Sequence, residues 1–85
     1  MLLIVDLISK LENFPVDSLK EVDATLATLG FKKEVRSVIK PGKHFSVTYD
    51  GPFTEKSEIE KILLQVSEKN QINFTVQIEE SVKFP

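Results

Sequence analysis

The sequence predicts an α+β sandwich with the element order βαββαβ, and three observations carry that prediction. Two segments, 44–50 and 72–79, alternate apolar and polar residues with the period of a half-buried strand. Two others place apolar residues at helical spacing: Leu19, Val22, Leu26 and Leu29 in one, Ile59, Ile62, Leu63 and Val66 in the other. Between two strand-like runs stands Lys40-Pro41-Gly42-Lys43, in which Pro followed by Gly suits the centre of a type II turn.

Taken in order, the elements justify themselves on local grounds. Leu2 to Ile8 is almost unbroken in branched apolar residues, the pattern of a strand buried on both faces and central in its sheet. A loop, Ser9 to Pro15, leads to the first helix. Asp17 or Ser18 is expected to cap it, Ser18 and Glu21 having capping-box spacing, and Gly30 stands where a left-handed residue closes a helix. Phe31 to Ile39 is a second strand of weak alternation, with Lys32, Glu34, Arg36 and Val38 expected on one face and Phe31, Lys33, Val35, Ser37 and Ile39 on the other. His44 to Asp50 returns from the turn with Phe45, Val47 and Tyr49 on one side. Gly51-Pro52 ends it, and Thr54 or Ser57 is expected to open the second helix. Asn70-Gln71 then separates that helix from a last strand with Ile72, Phe74, Val76 and Ile78 on its apolar face.

Two right-handed βαβ crossovers joined through the hairpin give a four-stranded antiparallel sheet with both helices on one face, the ferredoxin-like arrangement. Residues 1–85 are expected to form one such domain, 79–85 being a tail or a short extra strand. The absence of cysteine excludes disulfides, thiolate metal sites and thiol catalysis, and fits a reducing, cytoplasmic setting. The apolar start is broken by Asp6 and has no basic leader, so it reads as a strand rather than a signal peptide, and no run is long enough to span a membrane.

With helices on one face, the other face of the sheet is expected to be open. Its centre would be apolar, formed by Leu2 and Ile4 or by Leu3 and Val5, and the simplest cover is a second copy of the chain. Three familiar uses of this architecture lack their residues. RNA recognition by base stacking needs two aromatic positions on the central strands. Here the third strand offers Phe45 but then Val47, and the first strand has no aromatic residue. An acylphosphatase-type loop would need an Arg and a Gly after the first strand, where Ser9-Lys10-Leu11-Glu12-Asn13 has neither, and a copper site would need paired cysteines.

Two residues invite chemistry. Asp6 lies near the end of the apolar strand, and two such carboxylates paired across a twofold axis would hold a divalent metal. His44, the single histidine, is the candidate general base near neutral pH. Charge is distributed unevenly around a net value of −2. Lys32, Lys33, Arg36, Lys40 and Lys43 cluster on the hairpin with only Glu34 among them, while the chain beyond it is acidic. That hairpin would contact phosphates at low salt, or guard an edge strand against aggregation.

Several short motifs carry a resemblance. Leu3-Ile4-Val5-Asp6-Leu7, then Leu26-Ala27-Thr28-Leu29-Gly30-Phe31 and Val35-Arg36-Ser37-Val38, resemble the front half of small ferredoxin-fold nucleases, which include the VapD ribonucleases of toxin–antitoxin systems and the small CRISPR adaptation nuclease. Tyr49-Asp50-Gly51-Pro52-Phe53-Thr54 before Glu58 to Ile62 is similar to the Gly-x-Leu-Thr-x-x-Glu passage of the CRISPR family. Phe45-Ser46-Val47-Thr48 with Ser57-Glu58-Ile59-Glu60 is similar to GhoS, an antitoxin that cleaves messenger RNA. The resemblance implies a homodimeric endoribonuclease using Mg²⁺ or Mn²⁺, with Asp6 as metal-side carboxylate and Val82 and Phe84 packing onto the partner. The alternative expectation is a non-enzymatic interaction or regulatory module that uses the open face to bind itself or another protein.

Overall fold

Six elements follow one another along the chain: β1 (Leu2–Ser9), α1 (Ser18–Ala27), β2 (Lys32–Lys40), β3 (His44–Asp50), α2 (Lys56–Asn70) and β4 (Ile72–Glu79). They are seen in a computed structural model that describes residues 1–15 and 17–79. Val82 and Phe84, expected at an interface, lie outside the described residues. The sheet has the order β2-β3-β1-β4 with antiparallel neighbours throughout, which is the ferredoxin-like α+β fold.

The core lies between the sheet and the two helices. Leu3, Val5 and Leu7 of β1, Val47 and Tyr49 of β3, and Ile72 and Val76 of β4 point into it. Val22 and Leu26 of α1 meet them, with Ile59, Leu63 and Val66 of α2. These are the apolar positions that the two periodicities select, so local pattern and topology agree. β1 is central as expected, but only alternate residues are buried. Leu3 and Val5 face the helices, whereas Leu2, Ile4 and Asp6 are half-buried on the open face and Ile8 is exposed there. The nearly continuous apolar run therefore marks a central strand without marking a covered one.

The turns follow their chemistry. Gly42 has φ of 69° and the Lys43 N–H donates to the Lys40 carbonyl at 3.0 Å, closing the Pro41-Gly42 turn. Gly30 has φ of 91°, with its own N–H on Ala27 O at 3.0 Å and the Phe31 N–H on Leu26 O at 3.1 Å, the Schellman pattern. Phe31 then seats its ring against Gly51, where a Cβ would stand 2.5 Å from the ring.

The helix starts differ from expectation. Asp17 takes a left-handed backbone, φ 71°, instead of the extended one a cap residue needs, and makes no side-chain cap bond. Ser18 is buried as the first helical residue, its hydroxyl donates back to the Pro15 carbonyl at 2.9 Å, and the Glu21 N–H donates to the Asp17 carbonyl at 3.0 Å, so the Ser18–Glu21 capping box is not formed. α2 begins after an extended Glu55, while the Thr54 hydroxyl donates to Pro52 O at 3.1 Å. In both places a Pro-containing entry shifts the helix start by a residue from the expected Ser18 or Thr54 cap.

The second correction concerns β2. Its pairing with β3 slips between Lys33 and Val35 and again between Val38 and Lys40. Each bulge inserts a residue and reverses the alternation after it. Lys33 and Arg36 consequently stand opposite the core-facing Tyr49 and Val47, while Lys32, Val35, Ser37 and Lys40 stand opposite open-face residues. The expected set of Lys32, Glu34 and Arg36 on one face is thus divided. No helix among the described residues is long and apolar enough to cross a membrane.

Candidate functional site

The strand register builds one distinct polar feature on the open face. Asp6 is opposite Ser46 and Ile8 is opposite His44, so Asp6 and His44 are diagonal neighbours on one side of the β1–β3 pair. His44 Nε2 lies 3.0 Å from Asp6 Oδ1, with both side chains a little over a quarter exposed. The two residues singled out separately in the sequence are therefore brought together. A carboxylate bound to one ring nitrogen fixes the orientation of the imidazole and leaves Nδ1 for proton exchange with another molecule. Around them the face is short and neutral, with Ser46 and Thr48 on β3 and Asn73, Thr75 and Gln77 on β4. Leu2, Ile4 and Ile8 form its apolar row.

The five hairpin cations do not gather. Lys33 reaches round to Asp23 of α1 at 3.3 Å on the helix side. Lys43 donates to the Leu11 carbonyl, fastening the turn to the loop after β1. Arg36 projects on the helix side, and Lys32 and Lys40 remain on the open side at opposite ends of β2, across from Asp50 and His44. The bulges are the physical reason, because they break the period on which a single basic face depends.

A hard divalent ion takes about six oxygen ligands. Among the described residues Asp6 is the only carboxylate on the inner part of this face, and one of its oxygens is taken by His44. Among the described residues no three His, Cys, Asp or Glu side chains stand close enough to hold a metal. The residues of one chain therefore do not fit Mg²⁺ or Mn²⁺.

Two polar clusters on the helix side escaped sequence reasoning. The Tyr49 hydroxyl donates to Asp23 Oδ1 at 2.6 Å, and Lys33 completes a bridge from β2 and β3 to α1. Burial, then the bond to Asp23 and its negative charge, push the Tyr49 phenol above its ordinary range. The signal for this cluster was present, since a tyrosine on the apolar face of a strand needs a partner for its hydroxyl. Glu21 accepts from Lys69 at 3.0 Å and from Asn70 at 3.1 Å, joining α1 to α2. Those two bonds hold its carboxyl below the usual range. A groove of about 340 Å³ runs beside this clamp, lined by Glu21, Thr25, Thr28, Ile62 and Lys69 among others. It lies in the helix layer, away from Asp6 and His44.

Comparison with models of protein families and with curated protein sequences finds no match. Among solved structures the chain is similar to part of a formyltetrahydrofolate deformylase from Pseudomonas putida, with a TM-score of 0.67 and 12% identity. The similarity covers 92% of this chain and 28% of that one. At that identity the likeness speaks for the fold, and it joins the observed strand order in making this a ferredoxin-like domain.

Proposed function

We propose that this chain is a binding module that acts as a homodimer, two copies packing through the open faces of their sheets. The observation that carries the reading is the row Leu2, Ile4 and Ile8 on a central strand, left without a covering helix and flanked by short uncharged side chains. Packing such a row against another sheet removes apolar surface from water at about 25 cal/mol per Å². Asp6 and His44 hydrogen-bond one another within the face, so closure leaves neither side chain without a polar partner. A twofold axis along the strands would lay β4 over β2 of the other copy, bringing Glu79 toward the partner's Lys32.

Sedimentation velocity of the full chain tests this reading. The wild type is expected to sediment as a dimer and Ile4→Lys as a monomer of unchanged helix content. A wild-type monomer across the micromolar range overturns it.

The Asp6–His44 contact favours a second reading, the RNA cleavage that the nuclease resemblance implies. His44 would accept a proton from the RNA 2′-hydroxyl through Nδ1 while Asp6 holds the ring; the 2′-oxygen would attack the adjacent phosphorus to form a cyclic phosphate, the 5′-oxygen would leave with a proton from water, and Lys32 and Lys40 on the same face would meet phosphates. Any Mg²⁺ or Mn²⁺ would need the Asp6 carboxylates of two copies. Incubation of RNA with Mg²⁺, Mn²⁺ or a chelator, beside Asp6→Ala and His44→Ala, decides the matter. Cleavage by wild type and loss in both variants supports it; equal cleavage by all three proteins, or none by wild type, ends it.

A further inference from the structure

We infer that the free edge of β2 is a strand-addition site for a short extended segment of another protein, rich in Asp or Glu alternating with aliphatic residues. Three observations meet there. β2 is the terminal strand of the sheet, and no strand pairs with its outer side among the described residues, so its outward N–H and C=O groups offer a template for main-chain pairing. All of β2 is exposed, and Val35, Val38 and Ile39 are each 57% accessible, an unusual load of aliphatic surface on so wet a strand. Lys32, Arg36 and Lys40 make no ion pair among the described residues, whereas Lys33 is already bound to Asp23.

The charges select the occupant. Two β2 strands laid edge to edge would bring like cations together, which disfavours a second copy of this chain at that edge. An acidic strand meets the opposite condition. Between the two bulges, Val35 to Val38 forms a regular stretch that alternates faces, with Val35 and Ser37 on the open side and Arg36 and Val38 on the helix side. An incoming strand that alternates would keep one kind of residue on each face, its carboxylates on the helix side beside Arg36 and its aliphatic residues on the open side beside Val35. The edge is separate from the row proposed to join two copies, and Arg36 lies on the helix side, away from that dimer face.

A labelled synthetic peptide, Glu-Val-Glu-Ile-Glu-Val flanked by Gly-Ser, titrated into the 85-residue chain by fluorescence anisotropy is the test. A version with Pro at the central Ile keeps the charge and removes main-chain pairing, and a single-stranded RNA of equal charge serves as the polyanion control. Binding is expected to weaken about tenfold or more with the Pro peptide and with Arg36→Glu. Amide exchange should slow along Val35 to Val38 when the first peptide is bound. Equal binding of both peptides, tighter binding of the RNA, protection confined to β1 and β4, or no binding of the first peptide overturns the proposal.

Discussion

β2 and β4 are the two edges of one sheet, and they live in different environments. β4 pairs with β1 in one continuous register from Leu2–Glu79 to Ser9–Ile72, and its Ile72 and Val76 are buried under the helix layer. β2 bulges twice against β3 and buries nothing, although Val35, Val38 and Ile39 are as β-branched as any residue of β4. The difference is helix cover. α2 lies over β4, while α1 reaches β2 chiefly through the bond from Asp23 to Lys33. Aliphatic content thus determines neither burial nor regularity at an edge; a covering layer does.

Truncating one residue on each edge tests the comparison most severely. Ile72→Ala is expected to cost about 2–5 kcal/mol in urea unfolding, as buried isoleucine truncations do. Ile39→Ala should stay within about 0.5 kcal/mol, as exposed substitutions do. Similar losses would mean that β2 is covered in solution.

The next effect sits where β2 begins. Gly51→Ala drives a methyl group into the Phe31 ring, which anchors the entry to β2. Overpacking of this kind costs about 1–3 kcal/mol. Phe31→Leu in the same chain should recover part of that loss, and strict additivity in the double-mutant cycle would show that the two residues do not touch.

Tyr49→Phe removes the bond from β3 to Asp23 and is expected to cost about 1.5–3 kcal/mol, the range for a hydrogen bond to a charged group. It also has a pH signature. The folded state raises the phenol above its ordinary value of 10.0, so this contribution is complete below that pH and is lost as pH rises beyond it. Stability of the wild type should therefore fall more steeply than that of Tyr49→Phe in strongly alkaline buffer. Parallel curves would show that the hydroxyl titrates alike in folded and unfolded chains.

Lys33→Ala should have the smallest effect, under about 1 kcal/mol, because its pair with Asp23 is partly solvated. A larger loss in chemical denaturation would mean that this bridge, rather than pairing with β3, holds β2 to the domain.

Much of this was legible in the linear chain, and the exceptions share a cause. Tyr49, Val47 and Phe74 fall on the helix side because a period of two leaves no other choice once Leu3, Val5 and Leu7 share their core. The division of the hairpin cations was not legible, because each bulge is a mismatch between two strands and neither strand announces it alone. Asp6 and His44 stood out as separate residues. Their contact depends on a diagonal across β1 and β3, which requires the register. The helix starts failed for a nearer reason: the chain enters each helix one residue away from the expected Ser18 or Thr54 cap, so that Asp17 and Glu55 stand at the N-cap positions and neither makes a side-chain cap bond.

The amino-acid sequence by itself determined the element order, the central place of β1, the turn at Pro41-Gly42, the closure at Gly30 and the core faces of β3 and β4, since each depends on residues near one another in the chain. Only the tertiary structure decided that Leu2 and Ile4, not Leu3 and Val5, form the open-face row, that Asp6 meets His44, and that β2 is bare on both sides. Those outcomes depend on strand register and on where the two helices come to rest, and both are settled by packing the whole chain rather than by any one segment.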